Sequence, residues 1–174
     1  MRRIAVVGST GAGKTTLARQ LAAHFHSAHV ELDSLYWGPN WTPVPVELFR
    51  ERVTVALAGD PWVCDGNYSP VRDIVWRRAD TLVWLDYGLW LVMGRLARRT
   101  FQRVTSQQEL WSGNREDALT QLFSRHSVFW WVLTTHRRHH REFSALIRQP
   151  DYQHLAVVRL THPKQAASLL TTLT

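Results

Sequence analysis

The chain has 174 residues with a hydrophobic fraction of 45%, which suits one domain with a full core, and its net charge of +7 favours anionic partners such as nucleotides or nucleic acid. Its single cysteine excludes an internal disulfide and a cysteine-based zinc cluster. No signal peptide and no apolar run long enough to span a bilayer are visible, so we expect a cytoplasmic protein with no membrane partner.

The first element is a short strand that leads into a phosphate-binding pattern. Residues 4–7 form an apolar run, and residues 8–16 fit the pattern G-x-x-x-x-G-K-[ST]. Behind the pattern, Leu17, Leu21 and Phe25 recur on one helix face. A chance match in a glycine-rich turn is the alternative, but the strand before and the helix after favour phosphate binding.

The expected nucleotide contacts come from this one loop: Gly8, Gly11, Ala12, Gly13, Lys14, Thr15 and Thr16. Its glycines allow positive φ angles, so backbone N–H groups can approach phosphate oxygens, and the helix behind points its positive end at the same anion. Lys14 is placed to reach the β- and γ-phosphates, and the Thr15 hydroxyl to ligate Mg²⁺. The loop therefore predicts a site for a nucleoside triphosphate.

The elements that follow alternate between strands and helices. In order they are a strand over 29–33 ending in Asp33, a loop over 34–45, a helix over 46–58, a strand over 62–64 leading to Asp65, and a strand over 81–85 before Asp86. Beyond them come a helix over 89–103, a polar loop over 105–116, helical residues 117–148 with a break near Ser124, a strand over 154–160 and a terminal helix from Pro163. This alternation predicts a parallel sheet covered on both faces, with the three carboxylates at its ligand-binding carboxyl edge.

Several segments together resemble one family. They are residues 8–16, Leu32-Asp33 with the nearby Trp37, residues 62–68 (Trp-Val-Cys-Asp-Gly-Asn-Tyr), residues 80–86 and residues 95–99. In this combination the chain resembles the adenylate-kinase-like P-loop proteins over nearly its whole length. Within them it is most similar to the small group called DNA topology modulation proteins, and the Asp-Gly-Asn-Tyr element narrows the resemblance to that group.

The resemblance implies a fold and a chemistry. The implied fold is the three-layer α/β P-loop NTPase fold with a sheet of five parallel strands in the order 2-3-1-4-5, as a single domain over residues 1–174 with a short helical lid over approximately 95–125. The implied chemistry is phosphoryl transfer from ATP with Mg²⁺. Adenylate kinases carry Asp-Gly-Phe-Pro-Arg where this chain has Asp-Gly-Asn-Tyr-Ser, so the arginine that grips a nucleoside monophosphate is not in its place. Arg72 is the candidate substitute, and AMP is disfavoured as the acceptor.

Two carboxylates are candidates for the chemistry. Asp65 ends a strand that we expect beside the phosphate loop, where it can hold Mg²⁺ through water or orient the acceptor; an Asx turn before Gly66 is the alternative. Asp33 is the candidate base or orienting group for the acceptor hydroxyl, and a helix N-cap for the segment from Ser34 is an equal alternative. Asp86 is assigned a structural role.

Aromatic and polar side chains near these strand ends form a candidate acceptor pocket: Tyr36, Trp37, Asn67 and Tyr68. The chain contains 9 tryptophans, most of which we expect in the core, including Trp84, Trp90, Trp130 and Trp131.

The remaining candidates are arginines. The resemblance makes Arg95 and Arg99, one helical turn apart, a lid pair that neutralises the transferring phosphoryl group; a solvated basic helix face is the alternative. Arg137 or Arg138 is a candidate phosphate clamp within a His- and Arg-rich tract, for which metal binding is disfavoured.

These observations predict an ATP-dependent, Mg²⁺-requiring phosphotransferase acting on a small acceptor such as a nucleoside or nucleotide. The alternative is an ATP-binding or ATP-hydrolysing regulatory protein that engages DNA through its basic surface, although no DNA-reading motif is visible. A slow ATPase with no acceptor is a third option. The acceptor, the preference for ATP over GTP and the oligomeric state stay open.

Overall fold

The structure is a computed structural model, and it describes residues 2–106, 109–114 and 128–173. The strands are β1 (Arg3–Gly8), β2 (Ala28–Glu31), β3 (Trp62–Asp65), β4 (Thr81–Leu85) and β5 (Ala156–Leu160). The α-helices are α1 (Lys14–His24), α2 (Leu32–Tyr36), α3 (Val46–Ala56), α4 (Arg72–Arg78), α5 (Leu89–Thr105), α6 (Val128–Leu146) and α7 (Pro163–Leu173). Short 3₁₀ turns cover Pro39–Trp41, Ser69–Val71, Trp111–Gly113 and Pro150–Tyr152.

The strands form one parallel sheet in the order β2-β3-β1-β4-β5, which confirms the predicted order. Side chains alternate along the central strand β1, so Ala5 and Val7 pack into one apolar cluster while Ile4 and Val6 pack into a second. Helices α3 and α4 cover the first cluster, and α1, α5 and α7 cover the second. The result is the predicted three-layer α/β architecture.

The second strand ends earlier than the sequence predicts. It stops at Glu31, and Asp33 lies inside the short helix α2 instead of at the strand end. The chain turns there because Leu32, only 2% exposed, packs into the core, and Leu35 and Tyr36 reach the same cluster from one face of the helix. The strand-end carboxylates are therefore Glu31 and Asp65, with Asp86 directly after β4.

Helix α4 is absent from the sequence-based elements, and the predicted loop over 34–45 is more structured than expected. Val71, Val75 and Ala79 are buried at a helical spacing, which is the signal that identifies α4. Within residues 34–45 the structure has the end of α2, the 3₁₀ turn Pro39–Trp41 and a bridge between Trp37 and Pro43.

The expectation of buried tryptophans holds for Trp84 and is wrong for three others. Trp84 is 3% exposed, whereas Trp90, Trp130 and Trp131 are 82%, 56% and 43% exposed. They lie on the outward faces of α5 and α6, whose inward faces present Val92, among others, to the core.

Only part of the predicted lid lies in the part of the chain that the structure describes. Helix α5 continues to Thr105, and residues 115–127, which include part of the predicted lid and of the predicted helix over 117–148, lie outside the described residues. The described residues 109–114 are held by Asn114, which is 6% exposed. Its amide group donates to Gly38 O (2.9 Å) and accepts from Trp41 N (2.9 Å). Among the described helices, none combines the length and the apolarity that crossing a membrane requires.

Candidate active site

The phosphate loop has the backbone geometry that its glycines were expected to provide. Gly8, Gly11 and Gly13 have φ angles of +148°, +86° and +97°. A Cβ at Gly8 would lie 2.6 Å from Leu85 O, and one at Gly11 would lie 3.0 Å from Val92 O. The loop therefore requires glycine both for its conformation and for its close approach to β4 and α5.

Lys14, the first residue of α1, lies among charged groups. Its Nζ atom donates to Ser9 O at 3.3 Å, which folds the side chain back over the loop. Burial lowers the pKa of Lys14, against the attraction of Asp33 and Asp65, which acts to raise it. A phosphate chain in the loop would supply the counter-charge that favours the ammonium form.

Thr15 and Asp65 are joined directly beside Lys14. The Thr15 hydroxyl lies 2.7 Å from Asp65 Oδ2 and 3.2 Å from Glu31 Oε1. Asp65 is 3% exposed, and its other oxygen, Oδ1, lies 2.7 Å from His29 Nε2. Since an ionised carboxylate only accepts hydrogen bonds, the Nε2 atom of His29 carries the proton. The buried carboxylate is thus held from both sides, by Thr15 and by His29.

These groups fit a magnesium ion that is bound together with a nucleotide. A hydroxyl and carboxylates are the hard oxygen ligands that Mg²⁺ takes, and Mg²⁺ usually combines one or two carboxylates with substrate phosphates and water. Within the described residues, no group of three His, Cys, Asp or Glu side chains has the spacing of a self-contained metal site. Thr15 and Asp65 would therefore hold the ion only with phosphate oxygens in the loop.

Asn67 forms two hydrogen bonds with the backbone of Gly8, the first glycine of the phosphate loop. Its Oδ1 atom accepts from Gly8 N at 3.2 Å, and its Nδ2 atom donates to Gly8 O. The sequence placed Asn67 among the acceptor-binding candidates, but its amide is occupied by the first glycine of the loop. The Asp-Gly-Asn element thus connects the end of β3 to the start of the phosphate loop.

The phosphate loop, the start of α1 and the basic face of α5 line one cleft, which has a volume of about 950 Å³. Arg95 donates to Ala12 O at 2.8 Å, and its guanidinium lies over the Tyr87 ring at 5.3 Å. Arg99, one turn on, lies close enough to Lys14 to act against its ammonium form, and Arg103 continues the row into the cleft. The structure therefore brings the predicted pair Arg95 and Arg99 to the phosphate loop and adds Arg103.

Asp33 also lines the cleft, and a row of aromatic rings connects it to Trp111, which lines the cleft as well. Tyr68 donates its hydroxyl to Asp33 Oδ1, and burial together with the Asp33 charge raises the pKa of Tyr68. The Tyr68 ring packs on Tyr36, Tyr36 on Trp37, and Trp37 on Trp41, with ring centroids 4.5, 4.8 and 5.7 Å apart. Trp41 then meets Trp111 of the segment after α5 at 6.2 Å. The row thus extends from the candidate base to that segment.

Two arginines that the sequence offered for phosphate binding, Arg72 and Arg137, are not among the residues that line this cleft. Arg72 donates to Glu142 Oε1 at 2.9 Å, and its guanidinium lies over the rings of Trp76 and Phe143 at 5.6 and 5.9 Å. Arg137 is exposed on α6. The inward histidines of α6 lie nearer the site, since His136 Nδ1 is 3.3 Å from Ser9 Oγ.

Three residues of the site were not selected from the sequence: His29, Glu31 and Arg103. His29 and Glu31 are two residues apart on β2, so they share one face of the strand and point toward Asp65 and Thr15. Arg103 continues the four-residue spacing of Arg95 and Arg99. Both spacings are visible in the sequence. Asp86, assigned a structural role from the sequence, lies 2.9 Å from His140 and binds Arg159.

The sequence matches no protein-family model and no curated protein. The structure is similar to shikimate kinase from Bacteroides thetaiotaomicron, with a TM-score of 0.57 and 16% identity over 99% of this chain and 97% of that chain. It is similar to shikimate kinase from Acinetobacter baumannii in complex with shikimate, with a TM-score of 0.52 and 18% identity over 99% of this chain and 90% of that one. A sugar kinase from Janibacter sp. HTCC2649 gives a TM-score of 0.53 and 19% identity over 99% and 94% of the two chains.

At these identities the likeness shows the fold, which is the three-layer P-loop kinase fold that adenylate kinases share. None of the three proteins is described as a DNA topology modulation protein, so that part of the resemblance stays a prediction.

Proposed function

We propose that the protein is an ATP-dependent, Mg²⁺-requiring phosphotransferase that acts on a hydroxyl group of a small molecule. The observation that carries the proposal is the arrangement at the phosphate loop, where Thr15 is hydrogen-bonded to Asp65 and Lys14 lies close to both. Asp33 and Arg99 line the same cleft. The similarity to shikimate kinases and a sugar kinase supports a small-molecule acceptor over a polymer.

The phosphate loop and α1 form the donor half of the proposed site. The loop amides and Lys14 bind the β- and γ-phosphates of ATP, and Thr15 with Asp65 holds Mg²⁺, which draws charge from the β- and γ-oxygens when bound. Arg95 and Arg99 neutralise the charge that spreads over the γ-oxygens during transfer.

Asp33 carries the acceptor half of the reaction. The acceptor hydroxyl oxygen forms a bond to the γ-phosphorus while the bond from that phosphorus to the β,γ-bridging oxygen breaks, so that ADP leaves with the electron pair. The hydroxyl proton passes to the Asp33 carboxylate. Tyr68 fixes the orientation of Asp33 through its bond to Oδ1, and a carboxylate has further acceptor positions for the incoming hydroxyl.

The chain provides a matched pair of lysines for the test. Lys14→Ala should lower acceptor-dependent ADP release by about 10²-fold or more, because a cation aimed at the transferring phosphates is lost. Lys164 is the only other lysine and is exposed on α7, so Lys164→Ala should leave the rate unchanged. ADP release is measured with a panel of nucleosides, nucleotides and small alcohols. Equal rates in the Lys14→Ala variant and the wild type would contradict the site.

A second candidate function is ATP-linked binding to DNA. It is favoured by the exposed arginines of α6, which are Arg137, Arg138 and Arg141, together with the net charge of +7. If it holds, duplex affinity should fall steeply with salt, change with ATP, and fall when the three arginines are replaced by glutamine. Duplex binding that ignores both ATP and the replacements would remove this candidate.

A further inference from the structure

The outer face of α5 carries an exposed apolar strip. Trp90, Gly94, Ala97 and Phe101 are spaced by four, three and four residues, and all four are exposed. Trp90 is 82% exposed and Phe101 is 70% exposed. Another side of the same helix packs into the core through Val92, among others. Because this spacing of apolar residues is that of a coiled-coil seam, α5 presents one apolar side to the core and a second one to the outside.

The glycine in this strip is not required by the fold of the chain. A Cβ at Gly94 would meet no atom of the described residues within 4 Å, and the φ angle of Gly94 lies outside the left-handed range. A glycine inside a helix lowers the stability of that helix relative to alanine. The residue is explained if a second backbone approaches α5 at this point, since the absence of a side chain permits such an approach.

We propose that two copies of the protein associate through this strip, with their α5 helices antiparallel. The order large-small-small-large is its own complement under a two-fold axis between residues 95 and 96. That axis places Trp90 against Phe101 of the second copy, and Gly94 against Ala97 of the second copy. Crossed helices are closest at the centre and diverge toward their ends, so small residues suit the centre and aromatic rings the ends. The arginines of α5 that line the cleft lie on another side of the helix, so the inference is independent of the proposed function.

The flank and the area of the strip suit a weak dimer. Leu91, which is 36% exposed, and Arg98 share one flank, and the same axis brings the Arg98 stem of each copy over Leu91 of the second copy. An aromatic side chain buries about 150–250 Å², so the rings and flanks of both copies together approach the roughly 1,000 Å² of a specific interface. Since each copy has a net charge of +7, we expect a Kd on the order of 10 µM that becomes smaller as salt screens the repulsion.

The first test measures self-association with matched variants. Sedimentation equilibrium of the wild type between about 1 and 200 µM should show a monomer–dimer equilibrium. Gly94→Leu has room in the single chain and favours the helix, so it should keep or raise the Tm while weakening the dimer at least about 100-fold. Val55→Ser is the control and should leave the Kd unchanged, because Val55 is 70% exposed on α3, which covers the other face of the sheet. A wild type that stays monomeric at the highest concentration, or a folded Gly94→Leu protein that dimerises like the wild type, overturns the proposal.

Cysteine cross-linking tests the antiparallel arrangement. The native Cys64 is 1% exposed and stays out of the reaction. A mixture of Trp90→Cys and Phe101→Cys proteins should give a disulfide-linked dimer under mild oxidation, since the axis brings these positions together and leaves the second Trp–Phe layer intact. Each variant alone should stay unlinked, because position 90 of one copy lies about 16 Å along the axis from position 90 of the second copy, beyond the roughly 7 Å that a disulfide allows. A mixture that forms no link, or variants that link with themselves as parallel helices would, overturns the proposed pairing.

Discussion

The hydrogen bond between His29 and Asp65 allows the proposed metal site to be tested through stability. His29→Ala removes a donor that lies 2.7 Å from Asp65 Oδ1, while the carboxylate remains in a position that is 3% exposed. A buried acceptor that loses a partner costs about 1–3 kcal/mol, and the partly buried ring contributes about 1 kcal/mol of lost apolar contact. We therefore expect a loss of about 2–4 kcal/mol, which lowers the Tm by roughly 5–15 °C in a chain of this size.

The same variant should weaken the binding of magnesium with a nucleotide. Without His29, Asp65 is oriented from one side only, by Thr15, so the Kd for ADP in the presence of Mg²⁺ should rise about tenfold, or about 1.4 kcal/mol. The increase in Tm produced by ADP with Mg²⁺ should shrink accordingly, whereas the increase produced by ADP with a chelator should not change. A residue that only supports the fold would reduce both increases alike.

Two variants separate the hydrogen bond from the ring. His29→Gln retains a donor on a side chain of similar reach and should recover at least half of the lost stability and most of the Mg²⁺-dependent increase. His154→Ala is the control, because His154 is exposed and its Nε2 atom lies 3.2 Å from a neutral partner, Trp76 O; we expect a loss below about 1 kcal/mol and normal nucleotide binding. Identical behaviour of His29→Ala and His29→Gln would refute the role of the hydrogen bond.

Three further predictions concern the phosphate loop, the sheet and the segment after α5. Gly8→Ala places a Cβ 2.6 Å from a carbonyl oxygen of β4 and should cost about 3 kcal/mol or more in urea unfolding, whereas Gly13→Ala, whose nearest contact is 3.4 Å away, should cost about 1–2 kcal/mol. Burial acts to raise the pKa of Asp80. Hydrogen bonds from the Thr81 hydroxyl and from the backbone N–H groups of Arg2 and Arg3 outweigh this effect and lower the pKa of Asp80 below its usual value. Asp80 therefore stabilises the fold above the ordinary aspartate pKa and loses this effect as the pH falls through its lower folded pKa, so Asp80→Asn should cost about 1–2 kcal/mol at pH 7 and less near pH 3. Asn114→Ala removes the contacts to the loop after α2 and should raise amide hydrogen exchange over residues 109–114 without lowering the Tm by more than about 5 °C.

The proposed donor half of the site was predictable because its determinants are contiguous. The phosphate loop and the helix behind it occupy one short stretch, and the spacing of glycines, Lys14 and Thr15 specifies both the backbone and the chemistry. The sheet order was predictable for a different reason, since the resemblance covered nearly the whole chain and parallel strands admit few connections. Asp65 followed from this order, because β3 pairs directly with β1.

The proposed acceptor half was less predictable because its candidate residues come from distant segments. Arg72 and Glu142 are 70 residues apart, so nothing local indicates that the arginine is already paired. The end of β2 was misplaced for a local reason: the apolar Leu32 continues the strand pattern, yet its burial against the core requires the turn into α2. His29 was overlooked because its role depends on the neighbouring strand, which the alternation along β2 alone does not identify.

The charges of the cleft match the two halves of the proposed reaction. Arg95 and Arg99 add positive charge beside the loop amides, as the phosphates of a nucleoside triphosphate would require. Asp33, which lines the same cleft and accepts a hydrogen bond from Tyr68, is the carboxylate proposed to take the proton of the acceptor hydroxyl. Fold similarity alone does not specify this arrangement, since it depends on which partner each charged side chain has.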